Sequence, residues 1–396
     1  MVFNGVRWAA EHCVRNTSIR LVIGAMKRKA RNVFYGLIGI LAVLIVAGVA
    51  YLQHPKFGEL PEGDRLSAIG RSSNYQDGQF HNLVETPMFA GDKSFLDVLL
   101  ENLRSDTQRL APSGPIPSRK ADLKALDARE DLMVWFGHSS FFLQLNGQRI
   151  LIDPVFSDYA APLPFINAAY TGTNGYTASD FPGIDALLIT HDHWDHLDYA
   201  SVIKLQPKVD QVVSPLGVGS YFRGWGYEEA KVWEDDWYDS FEIGSGVRIH
   251  LIPARHYSGR LLTRGKTLWA GFVIETPDRR VLFSGDSGYG PHFKAIGERF
   301  GPFDLVSLDS GQYDPRWPYI HMNPEEAVAA AEDLRAKALV PAHVGRFTLA
   351  RHTWDEPFER MVAASEGKPF DLLTPMVGEP VELHQPQPVR FSAWWR

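Results

Sequence analysis

The chain has 396 residues, 45% of them hydrophobic, enough to bury one large core or two moderate ones. Its single cysteine, Cys13, excludes an intramolecular disulfide and leaves the body of the chain without a thiolate for metal binding or nucleophilic attack. Residues 1–31 hold seven Lys/Arg and one acid, so the net charge of −7 conceals a remainder with 33 basic and 46 acidic residues, a net of −13 that argues against a nucleic-acid partner.

In chain order, residues 1–32 read as a cytoplasmic basic segment. Met26 also opens a more conventional leader, MKRKARN, so that 1–25 can be read as an over-extended start. VFYGLIGILAVLIVAGVAYL (33–52) is twenty residues without a charge, long enough to cross a bilayer. The preceding KRKAR (27–31) should stay inside. The expectation is an inner-membrane anchor with the bulk of the chain on the periplasmic or outer side. A cleaved signal peptide is the alternative, since Gly48-Val49-Ala50 supplies small residues at a suitable spacing.

Residues 53–130 are mixed and read as a cap or linker: HPKFGELPEGDR, DGQFHN (77–82), a predicted helix around Ser94–Leu103, and the linker PSGPIPSR (112–119). From Asp131 to the end the pattern predicts a catalytic domain. DLMVWF, SFFLQL, RILI and DALLIT are short apolar or alternating runs between turn residues, and read as strands. LDYASVIKL (197–205) reads as a helix. A second series follows in VRIHLIPA, LWAGFVIET, RRVLFSGD and DLVSLDSG, then a capped helix, NPEEAVAAAEDL (323–334), and a last strand in KALVPAH. Two strand-rich halves with helices predict an α/β fold of two mixed sheets packed face to face, helices outside.

THDHWDHLDYAS (190–201) crowds three histidines and three aspartates into eight positions. His191 and His193, two apart at a strand end, point to one side and can grip one ion, while Asp195 and His196 lie past the turn. Imidazole and carboxylate suit zinc or a similar ion, whose charge offsets the crowding. Further donors follow later strands: His256 after VRIHLIPA, Asp286 after RRVLFSG, His343 after KALV.

HDHWDH resembles the HxHxDH signature of the metallo-β-lactamase superfamily, and His256, Asp286 and His343 match its remaining ligand positions. The resemblance implies a four-layer αββα sandwich with two zinc ions. His191, His193 and His256 would hold one, Asp195, His196 and His343 the other, with Asp286 bridging. Longer strings, among them WFGHSSFFLQLNGQRILIDPVFS, PARHYSGR, FSGDSGYGPHF, YDPRWPYIHMNPEEA and PAHVGRFTLA, are similar to the N-acyl-phosphatidylethanolamine-hydrolysing phospholipase D group and its bacterial relatives. That implies a dizinc phosphodiesterase acting on a membrane phospholipid through a metal-bridging hydroxide. Asp195 would orient the hydroxide, Asp286 bridge, and His321 stabilise the phosphorus centre or protonate the leaving alcohol. His138 and Asp153 read as supports of the ligands, and Arg316 and Trp317 as candidates for the pocket border. The main alternative is a zinc lactonase of the same fold. A zinc β-lactamase lacks its frequent cysteine ligand here, and a binding protein of this fold would have lost ligands. The tetrad Gly285-Asp286-Ser287-Gly288 also spells a serine-protease motif, without a matching His/Asp framework upstream.

Overall fold

The computed structural model describes residues 3–91, 95–104, 109–244, 246–260, 263–383 and 391–396, which fall into two compact units, Met1–Phe57 and Gly58–Arg396. The first unit is the helix α1 (Phe3–Leu52) followed by a short turn. Within it, Met26–Leu52 is long and apolar enough to cross a membrane.

The second unit opens with α2 (Gly63–Ile69), the hairpin β1 (Tyr75–Gln76) and β2 (Gln79–Phe80), and α3 (Phe95–Arg104). Ser94, the expected start of α3, lies outside the described residues. Then come β3 (Leu132–Trp135), β4 (Phe141–Leu145), β5 (Gln148–Ile152), β6 (Ile184–Leu188), α4 (Tyr199–Leu205), β7 (Val209–Pro215), α5 (Gly219–Gly224) and β8 (Val232–Asp235). The second half holds β9 (Ser240–Ile243), β10 (Val247–Ile252), β11 (Gly271–Glu275), β12 (Arg280–Phe283), α6 (His292–Phe300) and β13 (Leu305–Asp309). It ends with α7 (Pro324–Asp333), β14 (Ala338–Ala342), α8 (Glu356–Ala364), β15 (Asp371–Leu372) and β16 (Pro380–Glu382).

The strands form two seven-stranded sheets, ordered β16-β3-β4-β5-β6-β7-β8 and β9-β10-β11-β12-β13-β14-β15. Each sheet reads three antiparallel pairings and then three parallel ones. In consequence β3, β5 and β6 run one way in the first sheet, and β10, β12, β13 and β14 run one way in the second. The loops that leave their carboxyl ends carry the candidate ligands.

Alternation in doubly buried strands explains the layers. In β3, Met133 and Trp135 face the second sheet, joining Leu143, Ile150, Leu251, Phe272 and Ile274 in the core between the sheets. Leu132 and Val134 face outward, into a cluster with Val202, Leu205 and Phe222 from α4 and α5. On the far side Leu282, Val306 and Leu339 pack on Phe293, Ile296, Ala327 and Met361 from α6, α7 and α8. The result is the expected αββα sandwich. Each fully buried large side chain contributes roughly 1.5–3 kcal/mol, so the strand ends stand on a rigid base.

Candidate metal centre

β6 stops at Leu188, short of the strand end the sequence suggested at Thr190, and the chain turns through His191–His196 before Asp198 caps α4 by accepting from Ala200 N. In this turn His191 Nε2 lies 2.8 Å from His193 Nδ1. His256 Nε2, from the loop after β10, lies 3.2 Å from the same His193 nitrogen. Asp286 Oδ2, past β12, stands 3.8 Å from His191 Nε2 and 3.7 Å from His256 Nε2. Ligand atoms around a tetrahedral zinc with bonds of about 2.0–2.1 Å sit roughly 3.3 Å apart, so these four atoms are spaced as one ion's donor set.

The other Asp286 oxygen faces a second group. Oδ1 is 3.1 Å from His196 Nε2 and 3.0 Å from His343 Nδ1. Asp195 Oδ2 is 3.6 Å from His196 Nε2 and 3.9 Å from His343 Nε2. All seven sequence-predicted ligand positions therefore meet in one place, with Asp286 between two groups.

The surroundings fix which ring nitrogen carries a proton. A carbonyl only accepts, so His256 Nδ1 donates to Ile320 O at 2.9 Å and Nε2 presents its lone pair. His196 Nδ1 donates to Asp153 Oδ2 at 2.7 Å, leaving Nε2 directed at Asp286. Asp153 is itself held by Thr190 N at 2.8 Å and Thr190 Oγ1 at 2.6 Å. His138 falls within reach of the second group, but its Nε2 donates to Asp195 Oδ2 at 2.8 Å and so orients a ligand rather than adding one. His138, Asp153 and His343 all have positive φ (56°, 41° and 63°), unusual outside glycine. A reciprocal pair of backbone bonds, His138 N to Val344 O and His343 N to His138 O, holds two of them there.

Among the described residues, buried His196 Nε2, His343 Nε2 and Asp286 Oδ1 have no hydrogen-bond partner. Two imidazole nitrogens 2.8 Å apart, as in His191 and His193, repel unless a proton or a cation lies between them. Burial pulls His191, His256 and His343 well below the usual imidazole range and takes His193 to about 3, so these rings stand neutral, the form that binds metal. Burial also lifts Asp286 to about 7. For His196 burial works against the charged ring, but Asp286, Asp195 and Asp153 outweigh it and raise it. A divalent cation in each group would satisfy the orphaned atoms and offset the carboxylates together. The donor set fits metal.

His321 lies beside both groups. Its ring stacks 4.8 Å from that of His343 and sits 5.0 Å from that of His256. Nδ1 bonds to Asp309 Oδ2 at 2.8 Å, which directs Nε2 away from that carboxylate. Asp309, at the end of β13, was missed in the sequence; its signal was an acid closing an apolar strand. Asn82 was also missed as a functional residue, though DGQFHN stood out. It accepts from His256 N at 3.0 Å and donates to His256 O at 2.8 Å, tying the segment after β2 to the loop that carries a candidate ligand. Arg316 bonds Asp314, and Trp317 Nε1 donates to Gln312 O. Their neighbours Pro315 and Pro318 line the cavity beside His321. Ser287 is fully buried and donates to Gly288 O, and a Cβ on Gly288 would lie 1.9 Å from Tyr319 O. Ser287 and Gly288 are thus packing residues, with glycine required at 288 by close approach.

A family model for the beta-lactamase superfamily domain matches residues 148–344. An uncharacterized protein of Mycobacterium tuberculosis is 39% identical over 331 residues, covering 82% of this chain and 88% of that protein. An N-acyl-phosphatidylethanolamine-hydrolyzing phospholipase D of Caenorhabditis elegans is 31% identical over 298 residues, covering 70% of this chain and 83% of that one. Among solved structures, isothiocyanate hydrolase from Delia radicum gut bacteria gives a TM-score of 0.50 at 20% identity, over 63% of this chain and 98% of that chain, a likeness of fold. The chain belongs to the beta-lactamase superfamily, and its sandwich is the metallo-β-lactamase fold. It is a metal-dependent hydrolase of that superfamily, with relatives among the N-acyl-phosphatidylethanolamine-hydrolysing phospholipases D.

Proposed function

We propose that the protein is a dinuclear zinc phosphodiesterase of phospholipase D type, acting on N-acyl-phosphatidylethanolamine or a related membrane phospholipid. The observation that carries this reading is the placement of Asp286, one oxygen toward each donor group. In this reading His191, His193, His256 and Asp286 would hold one ion, and Asp195, His196, His343 and Asp286 the other. Two zinc ions, when bound, supply a hydroxide nucleophile near neutral pH and positive charge opposite the phosphate oxygens.

The protein's own groups do the rest. Asp153 and His138 hold His196 and Asp195 in register. The oxygen of water adds to phosphorus, the P–O bond to the head-group alcohol breaks, and its electron pair stays on the alcohol oxygen. His321 Nε2, backed by Asp309, gives that oxygen a proton and regains one released from the water. Met26–Leu52 anchors the enzyme in the inner membrane where its substrate lies, with the catalytic unit on the periplasmic side.

Metal analysis of the purified chain should give close to two ions per molecule. Lipid mass spectrometry after incubation with a mixed bacterial lipid extract should show phosphatidate released by the wild type and none by Asp286→Asn. Full activity after chelation, or hydrolysis of lactones in place of phospholipids, would refute the assignment.

A further inference from the structure

Within the turn His191–His196, Asp192 and Trp194 belong to neither donor group, and both are engaged by the segment that follows His256. Gly259 N donates to Asp192 Oδ1 at 2.6 Å, and Asp192 Oδ2 accepts from the hydroxyls of Tyr221 and Thr267 at 2.8 and 3.1 Å. Arg260 is buried, and its Nη1 donates to two backbone carbonyls, Asp192 O at 2.9 Å and Leu197 O at 2.8 Å. Its guanidinium carbon lies 3.6 Å from the centre of the Trp194 ring. One side chain therefore grips the turn near its start, at its middle and just past its end. The ligands on either side of Trp194 face different groups. His193 Nδ1 lies among the nitrogens of His191 and His256, and Asp195 Oδ2 stands by those of His196 and His343.

We propose that Arg260 is a positioning residue that sets the separation of the two ions, and with it the place from which water attacks phosphorus. The inference rests on the two-ion reading given above. A single residue parts a ligand of one ion from a ligand of the other, so any opening of the turn changes both donor sets at once. Buried carbonyls need a donor, and Arg260 supplies one at each end of the turn. Its flat guanidinium on the indole face keeps the middle from lifting away. Asp153 and His138 each brace one ligand of the second group, whereas Arg260 braces the span between the groups. Paired ions clamp the attacking and leaving oxygens together only when they stand about 3.5–4 Å apart. A relaxed turn would therefore slow hydrolysis even with both ions bound.

The test loads the full-length chain with Co2+ and reads the magnetic coupling between the ions by electron paramagnetic resonance, beside a chelator titration with metal analysis. The wild type should show a coupled pair. Arg260→Lys keeps the charge but cannot lie flat on Trp194. It should weaken the coupling and lower the affinity for both ions together, by about tenfold. Trp194 is half-buried, so Trp194→Ala probes the same contact if Arg260→Lys does not fold, and should weaken the coupling too. Trp194→Phe, which keeps a ring face for the guanidinium, should restore it. Tyr221→Phe removes a bond to the Asp192 carboxylate and leaves the contacts of Arg260 in place. It should lower the melting temperature and leave the coupling unchanged. Unchanged coupling in Arg260→Lys and Trp194→Ala, an equal change in Tyr221→Phe, or loss of one ion alone overturns the proposal. A wild type that binds Co2+ without any coupled pair overturns the two-ion reading as well, and so separates the two failures.

Discussion

Around Asp195, His196 and His343 the bracing groups are mostly ionisable. Asp153 holds His196, and His138 holds Asp195, at 2.7 and 2.8 Å. Around His191, His193 and His256 they are mostly neutral: the Ile320 carbonyl, the Thr190 hydroxyl and the amide of Asn82. The first arrangement ties donor strength to buried charge, so a change in one carboxylate changes the basicity of a ligand. The second ties it to loop position, and through Asn82 to the segment that follows β2. One donor group is thus tuned electrostatically and the other mechanically, although Asp286 serves both.

The contrast can be broken most sharply at Asp153. Asp153→Asn keeps the shape but weakens the pull on His196 Nδ1, and should cost about 10–100-fold in affinity at the second group alone. Titration with a chelator, followed by metal analysis, should show one ion lost early and one retained. Equal loss of both would mean that the two groups are not separately braced. Asn82→Ala should act on the other side with a smaller effect. It removes two bonds to the His256 backbone, worth about 1–2 kcal/mol together, so the first ion should bind roughly tenfold more weakly. Competition against a fluorescent zinc chelator measures this. The smallest effect is expected for Thr190→Val, whose hydroxyl reaches Asp153 at 2.6 Å and lies 3.0 and 3.3 Å from His191 and His196 Nδ1. Loss of about 1 kcal/mol should be shared between the two groups, seen as a small parallel shift in both chelator midpoints.

Much of this candidate centre was legible in the sequence because its candidate ligands fall where strands end, and strand ends show as a turn after an apolar run. His256, Asp286 and His343 are of this kind. So is the layered fold, since β3, β4, β10 and β11 carry continuous or alternating apolar residues. What stayed hidden depends on contacts between distant segments. Asp309 looks like any strand-closing acid until His321 turns back onto it. His138 was legible as a support, but its partner Asp195 was not, because only the β3–β4 hairpin brings the ring there. β9 escaped notice because Ser240–Ile243 is an edge strand with exposed residues, and β7 because Asp210 and Gln211 interrupt its apolar run. DGQFHN stood out as a string, but a role for Asn82 needs the loop at His256 beside it.

The place of β16 has a consequence for biosynthesis. Pro380–Glu382 pairs with Leu132–Trp135, so the outer edge of the first sheet is closed by residues from the far end of the chain. During translation that edge of β3 stays open while the whole second sheet is made, a template for pairing with another chain. The sandwich therefore cannot be finished half by half, and its contacts of long sequence separation favour slow folding. A ribosome that stops before residue 380 would release a chain with every candidate metal ligand present and one sheet edge unsealed, a product prone to aggregation despite an intact centre.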